Sequence, residues 1–364
     1  MNRRDFLHPR RVAHTAGQIL AGVDELQNTD NLLSDEPGEE IPNIALLRFS
    51  RRAMATIFEV ILPFGTPAAQ QLAEAALDEV DRLEDQLSVY RETSEVSRIN
   101  ASAAESATAV EERLFDLLQF SAALSESTEY AFDITAGALV KAWGFYKGPR
   151  RVPNETEIRR ALFRVGMRYV VLDPPTRQVR YLRSGLEINL GSIGKGYALD
   201  RTAELLRTEG NILSALLHGG QSSVYALGTE PGSPRGWPVG IKHPWDPERR
   251  LAIVWLKDRG LATSAATFQH LEHQGRKLGH ILDPRTGWPA EGMASATVIA
   301  PTSAEADALA TAFYILGVDK ARAYCAAHPD IGAVLLPENV EAPIILNLSP
   351  NDISFGDQRA NSLQ

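Results

Sequence analysis

The stretch "INLGSIGKGYALD", residues 188–200, joins an apolar run to a cluster of glycines, a lysine and the first turn of an amphipathic helix. A Walker phosphate loop needs two glycines four residues apart, then lysine and a hydroxyl side chain that reaches magnesium. Here Gly191 and Gly194 have only two residues between them, and Gly196 stands where the hydroxyl belongs. The Walker reading fails. What the spacing keeps is a strand end, a tight glycine turn and a helix N-terminus with Lys195 in its first turn, a place that suits an anion or a bound phosphate. A structural turn with a solvated lysine explains the same residues equally well.

Working outward, "YVVLD", "QVRYL" and "LEINL" lie between Tyr169 and Leu190, separated by Pro-Pro and Ser-Gly turns, and read as three short strands. On the other side, "SALLH", "SVYALG", "WPVGIK" and "LAIVWLK" read as an antiparallel sheet joined by hairpins. Nearer the N-terminus "ATIFEVILP" alternates like a strand. Leu72, Ala76, Val80, Leu83 and Leu87 then recur at three and four residues, which marks a helix with one apolar face. A second helix is expected over about Glu111 to Ser125. A last one follows "SATVIAP", starting near Thr302, with Thr302 and Glu305 in capping-box spacing. Strand runs between isolated helices give an α+β class, with mixed, largely antiparallel sheets and packed helices, rather than a doubly wound parallel sheet.

The chain has 364 residues, enough for one large or two moderate domains, and 46 acidic against 37 basic side chains give a net charge of −9. That balance argues against a nucleic-acid partner, which needs a basic face. Cys325 is the single cysteine, so no internal disulfide or cysteine metal cage can form, and any metal must use oxygen or imidazole. Residues 1–43 read as a basic leader and an acidic, turn-rich linker, residues 44–350 as the folded domain and residues 351–364 as a tail. "RRDFL" has the twin arginines of an export signal, yet "HPRRVAHTAGQ" behind it lacks the apolar run such a signal requires. No stretch approaches the roughly 18 apolar residues of a membrane span, so no transmembrane segment is expected.

Three further segments carry chemistry. In "HILDPRTGWP", residues 280–289, Asp-Pro and Thr-Gly make two turns within a few residues and hold His280 and Asp283 in a compact loop beside Arg285. A histidine beside a strand also serves often as a packing residue. In "SAEADALATAF", Asp307 and Thr311 stand four apart on one helix face and present a carboxylate beside a hydroxyl, oxygen donors of the kind magnesium takes. A helix-stabilising carboxylate and a packed threonine would have the same spacing. In "AFDITAG", Phe132 is placed either to flank a planar ring or to fill the core, with Asp133 beside it as an acceptor for an amide edge. His270 and His273 in "HLEH", together with His280, do not have the His-Glu-x-x-His spacing of zinc peptidases.

Taken in order, "MATIFEV", "LSVYRETSEVSRIN", "AFDITAGALVKAWGF", "INLGSIGKGYALD", "ATSAATF", "GHILDPRTGWP" and "EADALATAFYILG" resemble the FAD:protein FMN transferases, the ApbE-type flavin transferases, over about Arg48 to Leu336. The resemblance implies a T-fold-like architecture and an enzyme that binds FAD with magnesium (Mg2+). It further implies transfer of FMN to a threonine or serine hydroxyl of a client protein, with release of AMP. By the same resemblance Asp307, Thr311 and the main-chain carbonyl of Ser192 hold the metal, Lys195 lies near the diphosphate, and Met54, Tyr90, Ala131, Phe132, Asp133, Asn189 and Ile281 line the FAD site. His280 is then the general base. An FAD diphosphatase and a non-catalytic FAD-binding protein are the alternatives within the same family. Family habit places such proteins in the periplasm or cell envelope, whereas a non-functional leader would leave the chain in the cytoplasm. Asn189, Thr267 and Gln221 depart from the family pattern, each where acidic character is usual.

Overall fold

The computed structural model describes residues 45–146, 149–266, 270–273 and 276–355. The leader, Thr267 and the end of the tail lie outside them. The chain opens with a hairpin of β1 (Leu46–Ala53) and β2 (Thr56–Pro63). Ala53 pairs with Thr56, leaving Met54 and Ala55 as a two-residue loop, both at positive φ (49° and 61°). Such loops match the right-handed twist of the flanking strands. Helices α1 (Ala69–Leu87) and α2 (Glu95–Ser102) follow, then β3 (Thr108–Ala109), α3 (Glu112–Ser127), α4 (Gly137–Ala142) and α5 (Glu155–Leu162). Next come β4 (Val170–Asp173), β5 (Gln178–Tyr181), α6 (Gly194–Thr208), β6 (Ala215–Gly219), β7 (Ser223–Leu227), β8 (Trp237–His243) and β9 (Asp246–Leu256). The remainder is β10 (Arg259–Ala265), β11 (His270–His273), β12 (Arg276–Gly279), β13 (Met293–Ala300), α7 (Ser303–Ala327), β14 (Gly332–Pro337), β15 (Ile344–Leu346) and β16 (Ile353–Ser354).

One eight-stranded sheet, ordered β1-β2-β6-β7-β10-β13-β14-β15, organises the molecule, and its strands pair antiparallel throughout. Side chains alternate across it. From β2, Phe58, Val60 and Leu62 enter a core shared with α1, α3, α6 and α7, while Ile61 faces the other way. On that second face Leu216, Val224, Leu261, Ile299 and Val334 pack against Trp237, Val239, Ile241, Val254 and Leu256 of the β16-β9-β8 sheet. Covered on both faces, β7 and β13 are buried at every position. This is the α+β class expected, with structural neighbours described below.

The run "LEINL" departs from expectation. It is extended but belongs to no sheet, making only an isolated bridge from Glu187 to Ala136. A side chain replaces the missing strand neighbour: Asn100 on α2 donates to the Ile188 carbonyl (2.8 Å) and accepts from the Ile188 N–H (2.8 Å). Tyr181 also donates to Asn100 Oδ1, and the Asn189 N–H donates to the Ile134 carbonyl. Buried backbone groups need partners, and here a single amide supplies both.

Helices α6 and α7 clamp each other by their first turns. Gly196 makes this possible, because a Cβ there would stand 2.1 Å from the Ser303 carbonyl oxygen. Asp200 on α6 accepts from the N–H groups of Ser303 (2.7 Å) and Ala304 (2.8 Å), and Thr302 accepts from Glu305, so the start of α7 is capped twice. In return Asp307 on α7 accepts from the Gly196 N–H (2.7 Å) in the first turn of α6. Enclosure pushes the Asp200 carboxyl up to about 7, with the negative charge of Asp307 adding to the effect.

Asp200→Ala is expected to lower unfolding stability by about 1–2 kcal/mol in urea titrations, the cost of a lost cap. The pH dependence has a definite sign. A carboxyl that ionises near ~3.9 unfolded and higher when folded contributes stability that is complete below ~4 and lost as pH rises through the folded value. Asp200→Asn, which cannot ionise, is therefore expected to lose less stability than the native chain between pH 5 and pH 7.5.

Candidate active site

The end of the large sheet near Ser223 and Ala265, the α6–α7 clamp and the turn of residues 280–289 enclose a cleft of about 420 Å³. Tyr90, Ala131, Asp133, Asn189, Ser192, Lys195, His280, Ile281, Asp307 and Thr311 all line it. Residues more than 200 positions apart in sequence meet here because the Asn100 tether, the clamp and the turn each deliver one segment. Met54 lies in an adjoining groove that shares Tyr90, Asn189 and Lys195 with the cleft. Phe132 is the exception. Its ring is 1% exposed in the main core and does not flank the cleft, since the alternation that points Ala131 and Asp133 outward turns Phe132 inward.

Asp307 is 7% exposed and held from three sides. Oδ2 accepts from the Gly196 N–H and lies 3.7 Å from Lys195 Nζ, and Oδ1 accepts from the Ser223 hydroxyl (2.6 Å). These donors offset the cost of burying a charge. Each carboxylate oxygen keeps a further lone pair for a cation. One turn along, the Thr311 hydroxyl donates to the Asp307 carbonyl (3.3 Å) and meets Ser264 Oγ at 3.2 Å. The Asp307 carboxylate and Thr311 hydroxyl, with Ser192 in the lining of the same cleft, are oxygen donors of low charge, the type that suits a hard cation completed by water and phosphate rather than a closed protein cage. Among the described residues no group of three or more His, Cys, Asp or Glu side chains gathers as a metal site. His273 is exposed on the β11–β12 hairpin.

Asn189 Oδ1 accepts from the Gly191 N–H (2.9 Å) and shapes the loop before α6. That acceptor role needs only an oxygen, which is why an amide serves. Asp133 is engaged internally: its carboxylate accepts from the N–H and hydroxyl of Thr135 and from the Met167 N–H. Burial nevertheless raises its carboxyl above the ordinary range. It therefore acts as a strut for the wall of the cleft. Gln221 lies exposed at the sheet end, where Lys242 Nζ donates to its side chain (2.9 Å).

His280 sits edge-on to Phe145, ring centres 6.5 Å apart. Its loop is rigid. Asp283 grips the Arg285 side chain through Nε and Nη2 (2.9 and 2.8 Å), and its main-chain carbonyl accepts from the Gly287 N–H. Trp143 Nε1 donates to the Gly287 carbonyl (2.9 Å) from the third core cluster. Gly287 has φ 78°, and a Cβ there would meet Ile158 at 2.7 Å. The pairing of Asp283 is thus with Arg285, and its service is to the turn. Tyr90, an exposed residue of the cleft lining, stacks on the half-buried Tyr146 at 4.6 Å with planes 8° apart.

Sequence reasoning passed over Asn100, Asp200 and Ser223. Asp200 lies inside the opening stretch with no sign of its partner. A serine in "GGQSSV" offers nothing to single it out.

The ApbE family model matches residues 54–335. The chain belongs to the ApbE family. An FAD:protein FMN transferase of Klebsiella pneumoniae (strain 342) is 32% identical over 292 residues, covering 79% of this chain and 90% of the relative. Another from Escherichia coli (strain K12) is 32% identical over 279 residues, covering 74% and 78%. Among solved structures, the ApbE protein of Thermotoga maritima superposes with a TM-score of 0.75 at 29% identity, covering 83% of this chain and 96% of that one. The apo flavinyl transferase ApbE of Pseudomonas stutzeri gives 0.73 at 28%, covering 83% and 95%. The ApbE fold thus accounts for both the large antiparallel sheet and the helices clamped on it.

Ser223→Ala is expected to cost about 1.5–3 kcal/mol of unfolding stability, the range for a hydrogen bond to a charged group. Denaturant titration at neutral pH checks it.

Proposed function

We propose that this ApbE-family protein transfers FMN from FAD to a threonine or serine hydroxyl of a client protein, with magnesium, and releases AMP. The observation that carries the reading is the single cleft in which Lys195, the Asp307–Thr311 pair and His280 converge beside the Tyr90–Tyr146 stack. The names of the relatives favour the same activity.

Each wall has a task. Tyr90 and Ile281 offer apolar surface to the flavin end, and Tyr90 carries the aromatic face. Lys195 and the N-terminal turn of α6 place positive charge beside the diphosphate. Asp307, Thr311 and the Ser192 carbonyl would hold magnesium, which when bound would supply further neutralisation of the phosphate charge. The acceptor hydroxyl oxygen attacks the FMN phosphorus. As that bond forms, the bond from this phosphorus to the bridging oxygen breaks, and AMP departs with that oxygen and its electron pair. The imidazole of His280, the commonest side-chain type for general-base work, takes the hydroxyl proton. Phosphoryl transfer is mostly positioning and charge neutralisation, and the clamped elements supply both.

Incubation with FAD and magnesium, followed by AMP chromatography, tests the reaction. AMP only in the presence of a client carrying the acceptor hydroxyl supports transfer, AMP without a client means hydrolysis, and no AMP leaves binding alone. Asp307→Ala is expected to abolish magnesium-dependent AMP release; unchanged magnesium dependence removes the metal assignment. For His280→Ala, kcat is expected to fall by about 10²–10⁴, the range for a lost general base, while FAD still binds. Asn189→Asp keeps the bond to Gly191, so its stability is expected to stay within about 0.5 kcal/mol of the native chain. Its added charge is expected to strengthen FAD binding in the presence of magnesium, and a titration showing weaker binding would mean a loop built around the amide.

A further inference from the structure

Helix α7 is pinned to β7 at two places one helical turn apart. Ser303 Oγ donates to the Val224 carbonyl (2.9 Å), and Ser223 Oγ donates to Asp307 Oδ1 (2.6 Å). The two bonds hold different things. The first ends on main chain and fixes where the helix begins, whereas the second ends on the carboxylate in the lining of the cleft. Ser223 is a firm post because its own strand is fixed from both sides: it pairs with Gly219 of β6 and with Ala262 of β10, and it is 0% exposed. A hydroxyl so enclosed needs a partner, and Asp307 is that partner.

The carboxylate has one donor for each oxygen, the Gly196 N–H on Oδ2 (2.7 Å) and Ser223 on Oδ1. Lys195 Nζ, at 3.7 Å, adds charge but lies beyond hydrogen-bond length. Ser222 next door does not share the task, since its Oγ meets Ser223 Oγ at 3.5 Å instead. Among the described residues Ser223 is therefore the one side chain that donates a hydrogen bond to this carboxylate. The last torsion of an aspartate is broad, so a carboxylate held at one oxygen still turns about its Cβ–Cγ bond. Held at both, it does not.

We propose that Ser223 is a positioning residue for the cation: by locking the plane of the Asp307 carboxylate it sets the affinity of the Asp307–Thr311 pair for magnesium. The inference rests on the magnesium-dependent transferase reading. Carboxylates that hold a metal are themselves hydrogen-bonded, and removal of such a support typically costs about 10–100-fold in metal affinity. Loss of the Ser223 hydroxyl leaves the Gly196 bond and the Ser303 pin in place, so α7 keeps its seat on the sheet. What is lost is the orientation of one functional group. Ser303 supplies the contrast, because it supports the same helix through main chain and makes no bond to the Asp307 carboxylate.

The test uses the full chain and Mn2+ as probe, an ion that takes the same oxygen ligands as magnesium and whose unbound fraction is read from its paramagnetic resonance signal. Titrations are run with Mn2+ alone and again with FAD. Ser223→Ala is expected to weaken Mn2+ binding about 10–100-fold, with the FAD Kd measured without metal within about twofold of native. Ser223→Thr, which restores the hydroxyl with a residue suited to a strand, is expected to recover Mn2+ binding to within about threefold. Ser303→Ala removes the other pin and is expected to keep Mn2+ affinity within about twofold of native, which a merely structural role for Ser223 would not allow. The proposal is overturned if Ser223→Ala binds Mn2+ like the native chain while Asp307→Ala does not, or if Ser303→Ala loses as much affinity as Ser223→Ala. Unchanged Mn2+ binding in Asp307→Ala removes the metal assignment and the proposal with it. Weakened binding in Ser223→Ala of a chain that releases no AMP with a client refutes the transferase reading and leaves the role of Ser223 standing.

Discussion

Everything in the site hangs on two helices that start within van der Waals reach of each other and share their polar ends. Asp200 of α6 satisfies the first N–H groups of α7, and Asp307 of α7 satisfies an N–H in the first turn of α6. Each helix would otherwise begin with unpaired donors beside a buried surface. The exchange requires Gly196, since any Cβ would strike the Ser303 carbonyl. It also places a carboxylate where water has little access, next to Lys195 and at the floor of a cleft. Stability of the fold and charge in the site are consequences of one contact.

Around this clamp the remaining pieces are held with little freedom. Asn100 supplies the hydrogen bonds of an absent strand to Ile188, which fixes the loop carrying Asn189 and Ser192. Trp143 and the Asp283–Arg285 pair hold the turn beside His280. Catalysis by positioning depends on supports of this kind, because a displacement near 1 Å can cost on the order of 10²-fold in rate. The sheet serves two faces in different ways. One carries the helices and the charged cleft, and the other packs on the β16-β9-β8 sheet, with Trp237 and Leu256 in that second core.

Much of this was legible in the residues alone. The apolar spacing of α1, the alternation of β2 and the two hairpins β6–β7 and β8–β9 announce their elements because burial on one face leaves a period in the sequence. The one sheet expected of those four strands is two, since β7 pairs with β10 and β8–β9 joins β16 on the second face. "LEINL" misled for the same reason in reverse: it has the composition of a buried strand, yet its partner is a side chain 88 positions away, which leaves no periodic trace. Phe132 shows a similar limit. Composition placed it beside an acid near a turn, and only the packing shows that its ring enters the core.

By itself the sequence determined most element types, the shared helix face of Asp307 and Thr311, the failure of the Walker pattern and, through ordered motifs, the family. These are local or cumulative signals, set by spacing along the chain. Only the tertiary structure decided that Ser223 and Gly196 hold Asp307, that Asp133 and Asp283 brace their loops, and that His218 meets Glu59 through Nε2. Those outcomes depend on which segments meet. A hydrogen bond between residues 84 or 111 positions apart is a property of packing, where burial makes each unpaired polar atom costly enough to choose its neighbour.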